Sequence, residues 1–316
     1  MFDIFSPLNN CFINIKFFLT VTYFLNLSCF FYEKVVELLI DKDVYKMFNS
    51  HIHTNHSRDC KTSMEEMCIA AINAGFSGIA ITDHYNGDSC ISDNSYRNIL
   101  MSVAEARKFD ELYGEKLTVL GGVETSDVLR KPDYTARFLK NLRPDSVIFS
   151  VHNVFIDSIT KNLSRMDFGV LTDEEAYRII NVYFKELVEG AVKADYDILA
   201  HLTLPLRYTN GKHGKKLSLD RFNAEIEKIL TTLIKREKAL EINTSEIDHQ
   251  LFDFMPGKNI LKKYYGLGGR LVTIGTDAHK SENIAVGFNE AKELLKEIGF
   301  ESYYYYKNRK PIPVTL

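Results

Sequence analysis

The sequence contains few cysteines, and their number is odd. Its 316 residues include five, and no two of them form a Cys-x-x-Cys pair. A disulfide-stabilised scaffold is therefore not expected, and a reducing compartment such as the cytoplasm is the expected location. A length of 316 residues lies within the range of a single α/β barrel.

The chain also lacks an excess of charge of either sign. It has 39 basic and 42 acidic residues, which gives a formal net charge of −3. This near-balance argues against a dedicated nucleic-acid-binding protein, because such proteins usually carry a basic excess. Hydrophobic residues make up 45% and charged residues 26%, so the composition supports a core and excludes a disordered chain.

The first 46 residues carry no recognisable targeting signal, although they contain the uncharged run Phe17–Tyr32. That run is shorter than the roughly 20 residues that a membrane span needs. It has neither a positively charged region before it nor a small-residue cleavage site after it, so a signal peptide fits poorly. Three interpretations stay open for residues 1–46: a membrane anchor within residues 11–32, an extra helix, or upstream sequence that is not normally translated. Met47 begins the first predicted strand that contains candidate ligand residues, which favours the interpretation as untranslated upstream sequence. We therefore predict a folded body spanning residues 47–316.

From residue 47 onward, short apolar runs that end in polar residues alternate with helix-like segments. The predicted strand runs are Met47–His53, Gly78–His84, Leu117–Glu124, Val147–His152, Ile198–His201, Leu240–Asn243 and Leu271–Asp277. The amphipathic segments between them are Ser63–Gly75, Tyr96–Tyr113, Asp173–Lys193, Ser218–Lys238 and Asn283–Gly299. Ser63 with Glu66 predicts a capping box, Thr172 predicts an N-cap, and Gly75 and Gly299 lie where helices end.

This alternation indicates an α/β fold with a parallel sheet that is buried on both faces. Seven such units favour a closed or nearly closed barrel over an open sheet. No G-x-G-x-x-G or G-x-x-x-x-G-K-[ST] motif follows any of the runs, which argues against a nucleotide-binding fold. In α/β barrels the active site lies at the carboxyl ends of the strands, and the histidines and acids of this chain fall there.

Nine histidines are present, and most of them lie where strands end. Five end a predicted strand run, and His279 follows one by two residues; the five are His51, His53, His84, His152 and His201. A lone histidine is more often a surface or core residue than a ligand. Six at equivalent positions are hard to explain by packing, because each buried imidazole would need its own hydrogen-bond partner. His51 and His53 alternate along a strand and therefore share one face.

Carboxylates accompany these histidines at the same strand ends and loops. Asp59, Glu124 and Asp277 are candidate ligands, and Asp83 directly precedes His84. Imidazole nitrogens mixed with carboxylate oxygens, without thiolates, suit Zn, Mn or Fe. The set is too large for one tetrahedral ion, so we predict two or three divalent ions, with Glu124 as a suitable bridge.

Seven motifs in this order resemble the PHP (polymerase and histidinol phosphatase) superfamily, and most closely its monofunctional histidinol-phosphatase branch. They are HIHTNHSRD, AITDH, GGVE, SVHNV, AHLTLPLRY, EINTS and IGTDAH. The resemblance covers essentially residues 47–316, including a tail, Tyr303–Leu316, that is similar to the C-terminal strand of that branch. It implies a distorted (β/α)7 TIM-like barrel with a trinuclear metal centre at the C-terminal ends of the strands.

The resemblance also implies how the ligands divide among three metal ions. One ion is held by His51, His53, Glu124 and Asp277, a second by Glu124, His152 and His201, and a third by Asp59, His84 and His279. His56 matches a variable position and is left out as a surface residue. Asp83 is expected to support the ligands rather than to bind metal.

Such a centre predicts hydrolysis of a phosphomonoester. Clustered divalent ions lower the pKa of a bound water, supply hydroxide to attack phosphorus and offset charge on the phosphoryl group. Glu124, Asp277 and His279 are the expected catalytic ligands. Arg207, six residues beyond His201, is the candidate for a bidentate phosphate contact. The alternative is that Arg207 is an ordinary surface residue.

Three positions depart from the family pattern. Asn49 stands where an acid is usual, and Thr203 where Asp is frequent. Residues 246–249 read Glu-Ile-Asp-His, where the family commonly has Gly and then a basic residue. The last departure bears on the substrate rather than on metal binding.

The best single prediction is therefore a histidinol-phosphatase that acts on L-histidinol phosphate in histidine biosynthesis. The alternatives are a phosphatase of a nucleotide or sugar phosphate, a nuclease-type or polymerase-associated module, and a non-catalytic metal-stabilised scaffold. The expected partner is a small phosphorylated substrate and not a nucleic acid. Membrane contact is expected only if residues 11–32 are an anchor, and the oligomeric state stays open.

Overall fold

A computed structural model describes residues 47–316, apart from residues 88, 90, 93, 157, 248 and 249. The described residues fall within one compact unit, Lys46–Leu316. The predicted N-terminal extension, including its possible anchor, lies outside the described residues, as do Cys90 and the Asp-His pair at 248–249. None of the helices in the described part is long and apolar enough to cross a membrane. Cys60 and Cys68 are free and buried.

Most strands of the described chain belong to two parallel sheets. In chain order the strands are β1 (Phe48–Ile52), β2 (Gly78–Ile81), β3 (His84–Asn86), β4 (Thr118–Gly121), β5 (Val123–Ser126), β6 (Val147–Phe149), β7 (Asn153–Ile156), β8 (Ile159–Asn162), β9 (Ile198–Leu199), β10 (Ala239–Asn243), β11 (Val272–Gly275), β12 (Ser302–Lys307) and β13 (Lys310–Thr315). One sheet has the order β1-β2-β4 and the other β11-β10-β9-β6-β5-β3. Strands β7 and β8, and β12 and β13, form separate antiparallel hairpins.

The α-helices of the described chain lie between the strands in the sequence. They are α1 (Met64–Asn73), α2 (Ser95–Tyr113), α3 (Pro132–Leu142), α4 (Asp173–Lys193), α5 (Leu204–Leu206), α6 (Asn223–Lys235), α7 (Lys258–Gly266) and α8 (Phe288–Ile298). The predicted capping box at Ser63 is present, and Thr172 caps α4 in the same way with Glu175. Gly75 and Gly299 follow α1 and α8 with φ of +81° and +112°, which a residue without Cβ adopts at little cost.

The predicted α/β class with parallel strands is confirmed, and every predicted strand run contains a strand. Two runs are broken, because Thr82 and Asp83 separate β2 from β3 and Gly122 separates β4 from β5. Hydrogen bonds continue across the breaks: Gly122 N donates to Ile81 O at 2.8 Å, and Glu124 N donates to Asp83 O at 3.1 Å. After each break the strand pairs within the six-stranded sheet rather than the three-stranded one.

The C-terminal tail differs from the single strand that the resemblance suggested. It forms the hairpin of β12 and β13, in which Ser302 pairs with Thr315 and Lys307 with Lys310. Asn308 and Arg309 at the turn both have positive φ, as tight hairpin turns require. The ring of Tyr305 in β12 stacks on Phe48 at 3.9 Å between centroids, so the hairpin packs against β1.

The carboxyl ends of β1, β2 and β11 lie next to one another. Asp277 N donates to His51 O at 2.8 Å, and Thr82 N donates to Ile52 O at 2.9 Å. Ile52 also forms an isolated parallel bridge with Ala278. These contacts place the polar residues that follow the strands at a shared edge of the fold.

Candidate metal centre

Glu124 lies at the centre of the predicted ligand set. It belongs to β5, and its side chain is 1% exposed. Five imidazoles surround its two oxygens: His201 Nε2 at 3.0 Å and His152 Nε2 at 3.1 Å from Oε1, and His84 Nδ1 at 2.7 Å and His51 and His53 Nε2 at 3.6 Å from Oε2. Burial alone would raise the pKa of Glu124, but His152, His84 and His51 hold it well below its usual range.

Asp277 closes the cluster on the β11 side. Its Oδ1 lies 3.1 Å from His53 Nε2 and 3.7 Å from His51 Nε2. The residue has a φ of +52°, and His201 also has a positive φ, of +25°. Left-handed backbone is costly for residues with a Cβ and is retained where the surrounding structure holds it. Asp277 and His201 both direct their side chains into the cluster, so at these two positions the left-handed backbone accompanies a candidate functional residue.

Asp59 lies at the solvent-exposed edge of the predicted ligand set. Its side chain is 62% exposed, and its oxygens lie 3.5 Å from His84 Nε2 and 3.6 Å from His279 Nε2. Partial burial would raise the pKa of Asp59, but the neighbouring imidazoles of His279 and His84 hold it below its usual range. The structure thus brings all nine predicted ligands into one connected set.

Among the residues that the structure describes, three groups of potential ligand atoms are compact enough to hold an ion. They are His53 with His84 and His279, His51 with His53 and Asp277, and His84 with Glu124 and His152. The second group matches part of the first predicted metal site. His84, which the resemblance assigned to one ion with Asp59 and His279, also contacts Glu124. The predicted division of ligands among ions therefore stays a prediction.

The donor atoms of this cluster fit a cation. His51 Nε2 and His53 Nε2 face each other at 3.1 Å in a fully buried position. Burial lowers the pKa of His53 well below its usual value, and the neighbouring His279 and His84 lower it further, so this ring is neutral. A divalent cation accepts lone pairs from both nitrogens, together with the carboxylate of Asp277 or Glu124. The residues therefore suit divalent metal binding.

Glu241 is a buried carboxylate of this region that the sequence analysis missed. Its Oε1 lies 2.6 Å from His51 Nδ1, and its Oε2 accepts hydrogen bonds from His201 N at 2.9 Å and Asn243 Nδ2 at 3.1 Å. The residue is fully buried in β10. A signal was present in the sequence, since an acid within an otherwise apolar strand must have a polar partner.

Asp83 contacts the loop that carries His53 rather than the ligand atoms. Its Oδ1 accepts hydrogen bonds from Thr54 N at 2.7 Å and from Ser57 Oγ at 2.6 Å, and its Oδ2 accepts one from Ser102 Oγ at 2.6 Å. Ser57 Oγ in turn lies 3.2 Å from His53 Nδ1. This arrangement fits the supporting role that we predicted for Asp83.

His56 and Asn49 have other partners. His56 Nε2 lies 2.5 Å from Glu105 Oε2, which accounts for its polar side chain without a metal. Asn49 Nδ2 donates to Thr276 Oγ1 at 2.6 Å, and Asn49 Oδ1 accepts from His51 N at 3.2 Å. The amide that departs from the family pattern therefore links β1 to the end of β11.

Arg207 lies beside the cluster and not on the outer surface. It opens a π-type turn, Arg207–Lys212, directly after α5. Its Nη2 lies 3.3 Å from Asp277 Oδ2 and bonds Ser245 Oγ, and its Nε lies 3.1 Å from Glu246 Oε1. Burial would lower the pKa of Arg207, but Asp277, Tyr208 and Glu246 together more than offset this and raise it, so the guanidinium is charged.

A cleft of about 720 Å³ opens above these residues. Its walls include Asp59, His84, His152, His279 and Arg207. A second cavity of about 320 Å³, which we call the side pocket, shares Arg207, Asp277 and His279 with the cleft and adds a wall of Ser245, Glu246 and Lys280. Clefts of this size accept small molecules.

A sequence model of the family described as "PHP domain" matches residues 49–245, more than half of the chain. The protein belongs to this family, as the order of its motifs predicted. The match includes seven of the nine predicted ligands; Asp277 and His279 lie beyond it.

Relatives extend the similarity over most of the chain. It is 29% identical over 278 residues to the "Probable histidinol-phosphatase" of Thermotoga maritima, which covers 85% of this chain and 100% of that protein. It is 26% identical over 270 residues to the "Histidinol-phosphatase" of Lactococcus lactis subsp. lactis, covering 84% of this chain and 96% of that one. A crystal structure of histidinol phosphate phosphatase from the latter organism, complexed with zinc, L-histidinol and phosphate, has a TM-score of 0.68 at 24% identity. That match covers 84% of this chain and 99% of the other, and it supports the same fold.

Proposed function

We propose that this protein is a divalent-metal-dependent phosphomonoesterase that hydrolyses L-histidinol phosphate to L-histidinol and phosphate. One observation carries the proposal: six histidines that end or follow strands and two further carboxylates gather around Glu124, beside a cleft that also contains Arg207. The names of the two relatives, and the zinc, L-histidinol and phosphate in the Lactococcus structure, support this choice of substrate.

We further propose that the two parallel sheets are parts of one distorted seven-unit barrel. The bond from Gly122 N to Ile81 O supports continuity where β4 passes into β5. The bond from Asp277 N to His51 O, at 2.8 Å, supports closure between β11 and β1. In such a barrel the ligands all lie at the carboxyl ends of the strands, where this fold class carries its active sites.

The proposed centre holds two or three divalent ions of Zn, Mn or Fe through the nine predicted ligands. When bound, such ions supply a water of lowered pKa and compensate negative charge on a phosphoryl group. Glu241 fixes the ring of His51 by accepting a hydrogen bond from its Nδ1, which leaves Nε2 available as a ligand atom. His279 Nδ1 lies 2.9 Å from Asp277 O, which likewise directs its Nε2 toward Asp59 and the cleft.

Arg207 is proposed to bind the phosphate. Its guanidinium is charged and mostly buried, and it lies within 3.3 Å of the proposed ligand Asp277. A phosphate at the cations is therefore also within reach of a planar bidentate donor, the geometry that arginine provides best.

The test compares the wild type with Glu124→Gln. Wild-type protein with Mn or Zn is expected to release phosphate from L-histidinol phosphate much faster than from mononucleotides or sugar phosphates. Glu124→Gln is expected to lose turnover and metal content together, because it removes the central charge. Glu293→Gln is the matched control, since Glu293 is 71% exposed and contacts Lys296 rather than the cluster or the two cavities beside it.

Two results would contradict the proposal. Full activity in Glu124→Gln would exclude a centre bridged by this residue. A preference for mononucleotides or sugar phosphates would instead support a nucleotide or sugar-phosphate phosphatase, the alternative suggested by the unusual residues 246–249. The cytoplasmic location stays a prediction.

A further inference from the structure

Arg207 is held between two carboxylates, and only one of them belongs to the proposed metal centre. Asp277 Oδ2 lies 3.3 Å from its Nη2, and Glu246 Oε1 lies 3.1 Å from its Nε. The Glu246 side chain is 14% exposed. If Asp277 is committed to the cations, the charge of Arg207 is balanced on the substrate side by Glu246.

This pairing has a consequence for any phosphate that contacts Arg207. A phosphate bound to the guanidinium lies close to the carboxylate of Glu246, because both anions contact the same cation. Repulsion between them weakens the binding of a substrate whose only charge is negative. A substrate that carries a positive charge near its phosphate removes this penalty and gains an attraction, so the arrangement discriminates by a repulsive as well as an attractive element.

The side pocket provides the space for such a group. Its volume of about 320 Å³ is adjacent to Asp277 and His279, and Glu246 forms part of its wall. Lys280, a second basic residue in the wall besides Arg207, is 68% exposed and lies 3.6 Å from Glu282. The pocket thus adjoins Arg207, the proposed phosphate contact, and has the carboxylate of Glu246 in its wall.

We propose that Glu246 is a specificity-determining residue that binds the ammonium group of an aminoalkyl phosphate in the side pocket. This inference rests on the proposed phosphatase function and narrows its substrate class. L-histidinol phosphate belongs to this class, because its amino group is on the carbon next to the phosphorylated one. Mononucleotides and ordinary sugar phosphates do not belong to it.

The test uses two pairs of substrates that differ only in the amino group. One pair is L-histidinol phosphate and its deaminated analogue imidazolylpropyl phosphate, and the other is ethanolamine phosphate and ethyl phosphate. The wild type is expected to prefer the aminated member of each pair at least about tenfold in kcat/KM, mainly through KM. Glu246→Gln is expected to reduce that preference about tenfold, and Glu246→Asp, which keeps the charge, to retain part of it.

Each outcome decides the proposal. If Glu246→Gln lowers kcat/KM equally for both members of a pair, Glu246 only positions Arg207 and the proposal is wrong. Absence of a preference in the wild type overturns it without any variant, so a misfolded substitution leaves the test intact. If ethanolamine phosphate is preferred over ethyl phosphate while L-histidinol phosphate is not hydrolysed, the role of Glu246 stands and the proposed substrate fails.

Discussion

Glu241 lies behind the proposed metal ligands and contacts two of them. It is fully buried and contacts His51 Nδ1 through one oxygen and His201 N through the other. One carboxylate therefore contacts both the ring of one proposed ligand and the backbone of a second. Carboxylates behind metal-binding histidines orient the ring and raise its basicity.

Replacing Glu241 with Gln is expected to weaken metal binding about 10–100-fold. The amide keeps the size of the side chain but loses the negative charge that holds His51. Metal affinity, measured by competition with a chromophoric chelator, is the direct readout, and excess metal is expected to restore part of the activity. Glu293→Gln serves as the exposed control. An unchanged affinity in Glu241→Gln would show that the contact with His51 does not influence the centre.

The positions of the candidate ligands at strand ends could be predicted from the sequence, whereas the contacts of other residues around them could not. His51, His84 and Glu124 end apolar runs, and the geometry of parallel strands brings such residues to one edge. The ion pair between Arg207 and Glu246 depends on how two separate loops meet in space. No periodicity in the sequence reports that distance.

At the level of elements, the fit between α4 and β6 depends on a glycine. A Cβ added at Gly190 would lie 2.0 Å from Phe149 Cζ and 2.4 Å from its Cε1. Phe149 is 1% exposed in β6, so its ring cannot move aside without disturbing the core. The absent side chain thus allows the longest helix of the described chain to approach the sheet closely.

Gly190→Ala is therefore expected to destabilise the protein. Alanine favours the helix by about 1 kcal/mol, but overpacking costs about 1–3 kcal/mol or more, and the severe contact makes the second effect dominate. Gly266→Ala is the matched control, because Gly266 also lies in a helix, α7, and a Cβ there meets nothing within 4 Å. That change is expected to be neutral or to stabilise by about 0.5–1 kcal/mol. Denaturant unfolding of both variants measures the difference; a Gly190→Ala variant as stable as the wild type would mean looser packing at this interface.

Element boundaries were predicted best where capping chemistry was explicit. Thr172 and the acids after it fixed the start of α4, and its bounds match the prediction, Asp173–Lys193. Helix α3, which begins at Pro132, and the hairpin of β7 and β8 were not predicted, since both are short and lie between more regular segments. The breaks after Ile81 and at Gly122 were missed because the sheet to which the chain pairs changes at these points, and no residue pattern reports that exchange.

For the whole molecule, the described body contains all of the predicted chemistry. The nine predicted ligands lie between His51 and His279. The α/β class with parallel strands follows from the alternation of strands and helices. The order of strands within each sheet, and the change of sheet between β2 and β3, arise from backbone pairing that the sequence pattern does not specify. The prediction of a barrel rested on the seven alternating units together with the family resemblance.

A chain that begins at Met47 is expected to fold, bind metal and retain activity. Met47 O accepts hydrogen bonds from Ser77 N at 2.9 Å and Gly78 N at 3.3 Å, so the backbone pairing of β1 begins at this residue. The next residue, Phe48, is buried, and its N donates to Tyr303 Oη at 2.9 Å. Specific activity, metal content and the midpoint of thermal unfolding, compared with those of the full chain, measure the outcome.

A chain that begins at Thr54 is the matched control for this truncation. It removes β1 together with His51 and His53, so it exposes the edge of β2 and loses two proposed ligands. We expect it to be insoluble or free of metal. If the chain from Met47 fails in the same way, residues 1–46 are required for folding, and the interpretation of that segment as untranslated sequence is wrong. If only the chain from Thr54 fails, β1 is the first segment that the fold and the metal centre need.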